Sequence, residues 1–561
     1  MRILYNSKDL KFKKPFGCVR ENENCEISVH IPVTVNTLSV RLVLTDDCGL
    51  CEKFDFAKSG QYEMYEIFTC NFSIKKTGLY FYYFEIDGKE SSFRLFKYGY
   101  SDTNIEDGDM WQISCIPSDY KTPERFKGGV MYQIFPDRFN AYGQCDLSEK
   151  LQPFTVHQNK NDIPEHLPNQ YGEITNSDFF GGNLKGIEEK LDYLKDLGVR
   201  IIYLNPVFKA YSNHRYDTYD YKTIDPMLGT YDDFVNLCKS AKEVGISIIL
   251  DGVFSHTGSN SIYFNDAVTN PQSQYKEWYQ FKNYPNEYDC WWGIKTLPNV
   301  NEMTPSYIDY IITGEDSVIK YWLDAGAGGF RLDVADELPD EFIYLLRKRV
   351  KEINPEAIVI GEVWEDASNK ESYGVRRRYF TGPELDTVMN YPFKNSILDY
   401  VLNNISGEQF SKNIMTIVEN YPKDSVDCLM NSISTHDTVR ALTFLGNQKE
   451  LLKTAMFLQF VLPGITCIYY GDEIGMEGGR DPFNRGYFKW DCIDNDLLSY
   501  VKSLAEIKNK YTQLQTGNVN VYCEDDVLYI KRDNLLCIVN GKAEDGETIF
   551  NYRGLIIKWT D

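Results

Sequence analysis

The stretch GGFRLDVADE, residues 328–337, decides how the chain is read. A helical run, SVIKYWLDAG (317–326), leads into it. Phe330, Leu332 and Val334 then alternate as one face of a strand, and Arg331 and Asp333 occupy the other. Two charges on a fully buried strand are costly unless they are paired or put to use. The neighbouring segments decide between those options.

Working outward, strand and helix alternate from about residue 125. GGVMYQIF (128–135), VRIIYLNPVF (199–208), ISIILDGVF (246–254), AIVIGEVW (357–364), DTVMNYPF (386–393), CLMNSISTHD (428–437) and ITCIYYGDE (465–473) join 328–334 as apolar strands. Amphipathic helices follow most of them. LKGIEEKLDYLKDLG (184–198) stops on Gly198, and TYDDFVNLCKSAKEVG (230–245) starts on Thr230 and stops on Gly245. Eight such units predict a parallel sheet closed into a (β/α)8 TIM barrel over 125–510. A doubly wound open sheet is the competing architecture, but no Gly-rich phosphate loop follows an early strand. A stretch rich in aromatics, Asn and Pro, 256–305, reads as a domain inserted after the third strand.

The flanks follow a different rhythm. Segments such as CEISVHIPV (25–33) and LYFYYFEIDG (79–88) alternate with period two, so 1–115 predicts an antiparallel β-sandwich, Ig-like and similar in pattern to carbohydrate-binding modules. The same alternation returns over 511–561 as a small C-terminal β domain.

Composition narrows the function. The 561 residues carry a net charge of −23, which argues against nucleic acid or an anionic membrane as partner. Aromatics make up 14% and suit stacking on flat sugar faces. The start, MRILYNSKDLKFKKPF, has no apolar core of signal-peptide length, and no run of about 18 apolar residues occurs. The 14 scattered cysteines, with Cys48 and Cys51 as the lone C-x-x-C, then predict free thiols in a reducing cytoplasm rather than a zinc site.

The polar residues gather at strand ends: Asp251 and His256 after the third strand, Asp333 after the fourth, Glu362 after the fifth, His436 and Asp437 after the seventh. In a barrel these ends share one rim, where catalytic groups sit. The chain has only six histidines, and three of them, His214, His256 and His436, lie in such rim segments.

DGVFSH (251–256), GFRLDVADE (329–337), GEVW (361–364) and STHD (434–437), in that order, resemble the four signature regions of the α-amylase family of glycoside hydrolases. MYQIFPDRF (131–139), FFGGNLKGI (179–187), SNHRYDTYDY (212–221) and MNYPF (389–393) are similar to its neopullulanase, cyclomaltodextrinase and maltogenic amylase branch. The resemblance spans about 128–490.

It implies retaining hydrolysis of α-1,4-glucosidic bonds in maltooligosaccharides, cyclodextrins, pullulan or starch fragments, with some α-1,6 cleavage. An exo-acting α-glucosidase or a glucan transferase on the same barrel is the alternative. Asp333 would be the nucleophile, ionised and stabilised by Arg331. Glu362 would be the general acid and base, in a partly desolvated site near another acid. Asp437 would be the third acid. His256 and His436 would donate to sugar hydroxyls, Asp251 would bind sugar or orient Arg331, and Tyr216 would stack on the sugar beside His214. Asp481 and Arg485 in DPFNR would contact sugars further from the cut. Trp291 and Trp292 either stack on substrate or form the core of the insertion.

Three departures stand out. Ser255 replaces the Asn that often ligates calcium in this family. Asn183 stands where many relatives have Asp, leaving Asn140 and Asp146 as the remaining oxygen ligands of that loop. Too few oxygens result for the six to eight that calcium takes, so the interdomain calcium of the family is not expected, calcium in the loop stays open, and no cofactor is expected to be required. Asp336 replaces the Asn of the branch's Val-Ala-Asn-Glu. The expected partner is an α-glucan oligosaccharide, together with a second copy of the chain in a homodimer through the N-terminal domain.

Overall fold

The computed structural model describes residues 2–172, 174–542 and 547–560. Two compact units result.

One unit contains the chain up to Lys121 together with 366–384 and 411–426. A four-stranded sheet, built on the pairing of Asn24–Pro32 with Tyr65–Ser73, and a seven-stranded sheet, centred on Gly78–Gly88, form a sandwich. Period two in the sequence puts Ile27, Val29, Leu42, Phe68, Phe84 and Trp111 into one buried core. Cys48 and Cys51 lie exposed at a hairpin of this unit, and all 14 cysteines are free thiols.

The other unit holds the barrel. Its strands are β1 (Val130–Ile134), β2 (Ile201–Leu204), β3 (Ser247–Gly252), β4 (Gly329–Leu332), β5 (Ile358–Gly361), β6 (Thr387–Val388), β7 (Met430–Ser432) and β8 (Ile465–Tyr469). They pair in parallel in the order β6-β5-β4-β3-β2-β1-β8-β7, and a parallel bridge between Met389 and Met430 closes the ring. Ile201, Ile249, Ile358, Ile360, Met430 and Ile465 fill the inside. Gly329 makes β4 possible: a Cβ there would lie 2.1 Å from the Ile358 carbonyl oxygen.

The helices pack where the apolar period places them. Tyr231–Glu243 begins with a capping box between Thr230 and Asp233. The expected single helix over 184–198 is two short ones, Leu184–Glu188 and Leu191–Asp196, which keep Leu184, Ile187, Leu191 and Leu194 buried across the break. The segment after β3 is less irregular than its composition suggests. It contains the helix Ile262–Thr269 and a small core of Tyr263, Phe264, Trp278 and Tyr279. A five-stranded antiparallel sheet, from Val519–Glu524 to Leu555–Trp559, ends the chain. Among the described residues, no helix is long and apolar enough to cross a membrane.

Candidate active site

The register of the barrel builds the site. Asp251 on β3 is the Cα partner of Arg331 on β4, and Leu332 is the partner of Gly361. Asp251, Arg331, Asp333 and Glu362 therefore meet at the C-terminal ends of β3, β4 and β5. Arg331 is wholly buried. Its Nη1 donates to Asp251 Oδ1 at 2.8 Å and to Asp333 Oδ1 at 2.7 Å, and its Nη2 lies 2.9 Å from Glu362 Oε2. One guanidinium is thus shared by three carboxyl groups, rather than serving Asp333 alone as the sequence suggested.

That sharing sets the electrostatics. Burial pushes the Asp333 carboxyl well above the usual carboxylate range; Arg331 pulls it back, and the neighbouring Glu362 and Asp251 push it up again. Asp251 has no oxygen left for a sugar. Its Oδ2 accepts from Tyr203 at 2.6 Å and from Tyr216 at 2.9 Å. Of the two expectations for Asp251, the geometry supports orientation of Arg331.

Val334 departs from expectation. The strand ends at Leu332, and Val334 has φ of +40°, so it does not continue the outward-packed face. A β-branched residue in this region is a true conformational outlier. The strain accompanies a bond: the Val334 N–H donates to Glu362 Oε2 at 2.8 Å.

The loops after β2 and β7 complete the rim. The Tyr216 hydroxyl lies 2.5 Å from His436 Nε2, and the two rings stack at 5.6 Å. Gln133 of β1 donates to His436 Nδ1 at 2.9 Å, so the proton of the neutral ring sits on Nε2, 3.2 Å from Asp437 Oδ2. Burial, with Arg485 and Arg331 nearby, holds His436 well below the usual histidine range. His214 accepts the Tyr216 N–H on Nδ1. His256, which burial lowers to about 4, pairs Nδ1 with Ser255 Oγ, and its buried Nε2 has no protein partner.

The softer assignments fall close by. Arg485 donates from Nε to the His436 carbonyl, pairs with Asp481 at 2.9 Å and lies 3.7 Å from Asp437, whose side chain is 29% exposed. Trp291 and Trp292 differ in their surroundings. The ring of Trp291 lies 5.7 Å from that of His256, whereas Trp292 is 79% exposed, with its indole N–H on Glu337 Oε1 at 2.8 Å. Asp336 lies in the same turn as Glu337, half-buried.

Of the oxygens considered for calcium, that of Asn183 is committed within the loop. Asn183 Oδ1 accepts from Gly186 N and Tyr142 N, and Asn140 donates its amide to the Gly186 carbonyl. Asp146 accepts the Ser148 N–H at the exposed surface. Among the described residues, no three His, Cys, Asp or Glu side chains are arranged to hold a metal.

Sequence reasoning passed over Tyr203, Gln133, Trp364 and Tyr391. Trp364 and Tyr391 do stand inside the quoted segments GEVW and MNYPF, but nothing in the sequence shows that their rings stack at 3.9 Å, nearly parallel.

The description "Alpha amylase, catalytic domain" matches residues 133–533. The chain belongs to the α-amylase family of glycoside hydrolases. An amylopullulanase of Thermoanaerobacterium saccharolyticum is 34% identical over 97% of this chain and 47% of its own length. A cyclomaltodextrinase of a Bacillus species is 33% identical over 77% of this chain and 75% of its own. The solved type III pullulan hydrolase from Thermococcus kodakarensis superposes with a TM-score of 0.69 at 25% identity, covering 99% of this chain and 100% of that one. The chain spans less than half the length of the amylopullulanases it matches.

Proposed function

We propose that the chain hydrolyses α-1,4-glucosidic bonds in maltooligosaccharides, cyclodextrins, pullulan or starch fragments with retention of configuration, and cleaves some α-1,6 bonds. The observation that carries this reading is the Arg331 bridge, with Asp333 on one terminal nitrogen and Glu362 on the other. A bridge that short supports a close pair of carboxyls, about 5 Å apart as in retaining enzymes, rather than the wider gap that admits a water between them. The names of the relatives, amylopullulanase, cyclomaltodextrinase and pullulan hydrolase, support the substrate class.

In this reading Glu362 carries the proton when substrate binds. Protonation removes one of the repulsions acting on Asp333, so an ionised nucleophile and a protonated acid favour each other. Asp333 attacks the anomeric carbon as Glu362 protonates the departing oxygen, and Glu362 then takes a proton from water to release the glycosyl group. Asp437 accepts from sugar hydroxyls. His256 donates from Nε2, which its lack of a protein partner supports, and His436 donates from Nε2 in place of its contact with the Tyr216 hydroxyl. Tyr216 and His214 form the sugar platform, with Asp481 and Arg485 further out. Asp251 and Arg331 hold the acids in place.

The second copy of the chain, docked through the N-terminal sandwich, belongs to the same proposal. So does a cytoplasmic setting, which the free thiols support.

Asp333→Asn tests the assignment. It should remove essentially all hydrolysis while thermal unfolding stays close to wild type; a variant keeping a tenth of the activity overturns the nucleophile. Products from maltotriose, β-cyclodextrin, pullulan and soluble starch define the substrate class. Panose from pullulan supports the reading, whereas glucose alone from every substrate favours an exo-acting glucosidase.

A further inference from the structure

The two oxygens of Glu362 are not equivalent. Oε2 accepts the Val334 N–H at 2.8 Å and lies 2.9 Å from Arg331 Nη2, in ion-pair contact rather than in hydrogen-bond geometry. Oε1 accepts the indole N–H of Trp364 at 3.1 Å. An oxygen that accepts one N–H and lies against a guanidinium cation is a poor place for a proton. Oε1 can keep an O–H and still accept the indole bond.

Trp364 is itself held in place. Its ring lies 3.9 Å from that of Tyr391 with 9° between the planes, and Tyr391 is almost fully buried. The Trp364 side is open: the residue is 42% exposed. A flat, buried tyrosine therefore fixes the plane of a tryptophan whose N–H is aimed at one carboxyl oxygen.

We propose that Trp364 is a positioning residue for proton transfer: its indole N–H selects Oε1 of Glu362 as the proton-bearing oxygen and stabilises the charge left there when the proton departs. The inference rests on the reading of Glu362 as general acid. The energetic logic is differential. A hydrogen bond to a neutral carboxyl is weak, and the same bond to the carboxylate that develops at Oε1 is charge-assisted and stronger. The gain appears as the proton moves, so it lowers the barrier rather than tightening substrate binding. It matters most when the leaving group needs a full proton.

The test is a leaving-group series: phenyl, chlorophenyl and nitrophenyl α-maltosides, with kcat/KM measured for wild type, Trp364→Phe, Tyr391→Ala and Glu362→Gln. Trp364→Phe keeps an aromatic ring on Tyr391 and removes the N–H. It should lose roughly 10- to 100-fold on the phenyl substrate, the range for one charge-assisted bond, and progressively less as the phenol becomes more acidic. Tyr391→Ala, which removes the floor under the indole, should steepen the dependence in the same sense and provides the same reading if Trp364→Phe folds poorly. A parallel loss across the series, or no loss, overturns the proposal, because sugar stacking or general destabilisation would affect all the phenols alike. Glu362→Gln separates the two levels. If it also fails to steepen the series, the acid assignment has failed; if it steepens the series and Trp364→Phe does not, only the role of Trp364 has failed.

Discussion

Asp251 and Arg331 face each other across adjacent barrel strands, and the register that pairs their Cα atoms brings Oδ1 within 2.8 Å of Nη1. The pair is enclosed and supports everything nearer the substrate. Asp251 fixes the guanidinium from below, with both of its oxygens occupied, and the guanidinium then reaches Asp333 and Glu362. Replacing Arg331 by Met leaves three buried acids uncompensated. The expected cost is about 3–5 kcal/mol at neutral pH, as when one partner of a buried ion pair is removed, together with loss of hydrolysis. Burial raises Asp333 and Asp251, and Arg331 is the charge that pulls both back, so its loss leaves them higher still. They lose stability as pH rises through the carboxylate range, so the deficit should shrink as pH falls towards about 4. Urea unfolding of Arg331→Met and wild type at pH 4.5 and 7.5 checks both sign and size. A deficit that grows on acidification contradicts the shared-charge account.

The strand ends were legible because a parallel barrel fixes both the direction of every strand and the rim on which it stops. Asp251, Asp333, Glu362, His436 and Asp437 needed only that rule and the apolar runs before them. Val334 was not legible. Its alternation with Phe330 and Leu332 is that of a strand, and the left-handed turn is imposed by the bond its N–H makes to Glu362, a residue 28 positions away. Trp364 and Tyr391 were hidden for a similar reason, since stacking across the ends of β5 and β6 depends on neighbours that no local period encodes. The division of Asp251's two oxygens among Arg331, Tyr203 and Tyr216 likewise depends on three other strands and loops.

Trp292 sits in the left-handed region with φ of +49° and is held out in solvent by Glu337. Both features are costly for a tryptophan that serves only packing. Trp292→Ala should therefore leave the thermal midpoint within about 2 °C, as surface substitutions do, and raise KM several-fold for longer maltooligosaccharides. Initial rates on maltotriose through maltoheptaose show this directly. A drop in stability with unchanged KM would assign the ring to the core of the insertion instead.

Metal removal should have little effect. Asn183 Oδ1 already accepts from Gly186 N and Tyr142 N, which leaves Asn140 and Asp146 with too few oxygens beside them for the six to eight that calcium takes. Dialysis against EDTA is expected to leave activity and the thermal midpoint unchanged. Recovery of lost activity on adding calcium, but not magnesium, would show that this loop rearranges into a cage.

Acid should destabilise the protein through its buried histidines. Burial lowers His256 from 6.5 to about 4, and His436 is lowered in the same direction. Below about 6.5 the unfolded chain takes up a proton at His256 that the folded chain refuses until about pH 4. Stability is therefore lost as pH falls through that window, by on the order of 3 kcal/mol for His256 at the end of it. Asp333, raised by burial, works in the opposite sense, so the total slope mixes the two. The difference between wild type and His256→Gln isolates the histidine. The variant should show a shallower loss of urea midpoint between pH 7 and 4.5, and the two curves should converge or cross at the acid end. Parallel curves would mean that His256 takes up its proton in the folded protein as readily as in the unfolded chain, which its enclosed, unpartnered Nε2 argues against.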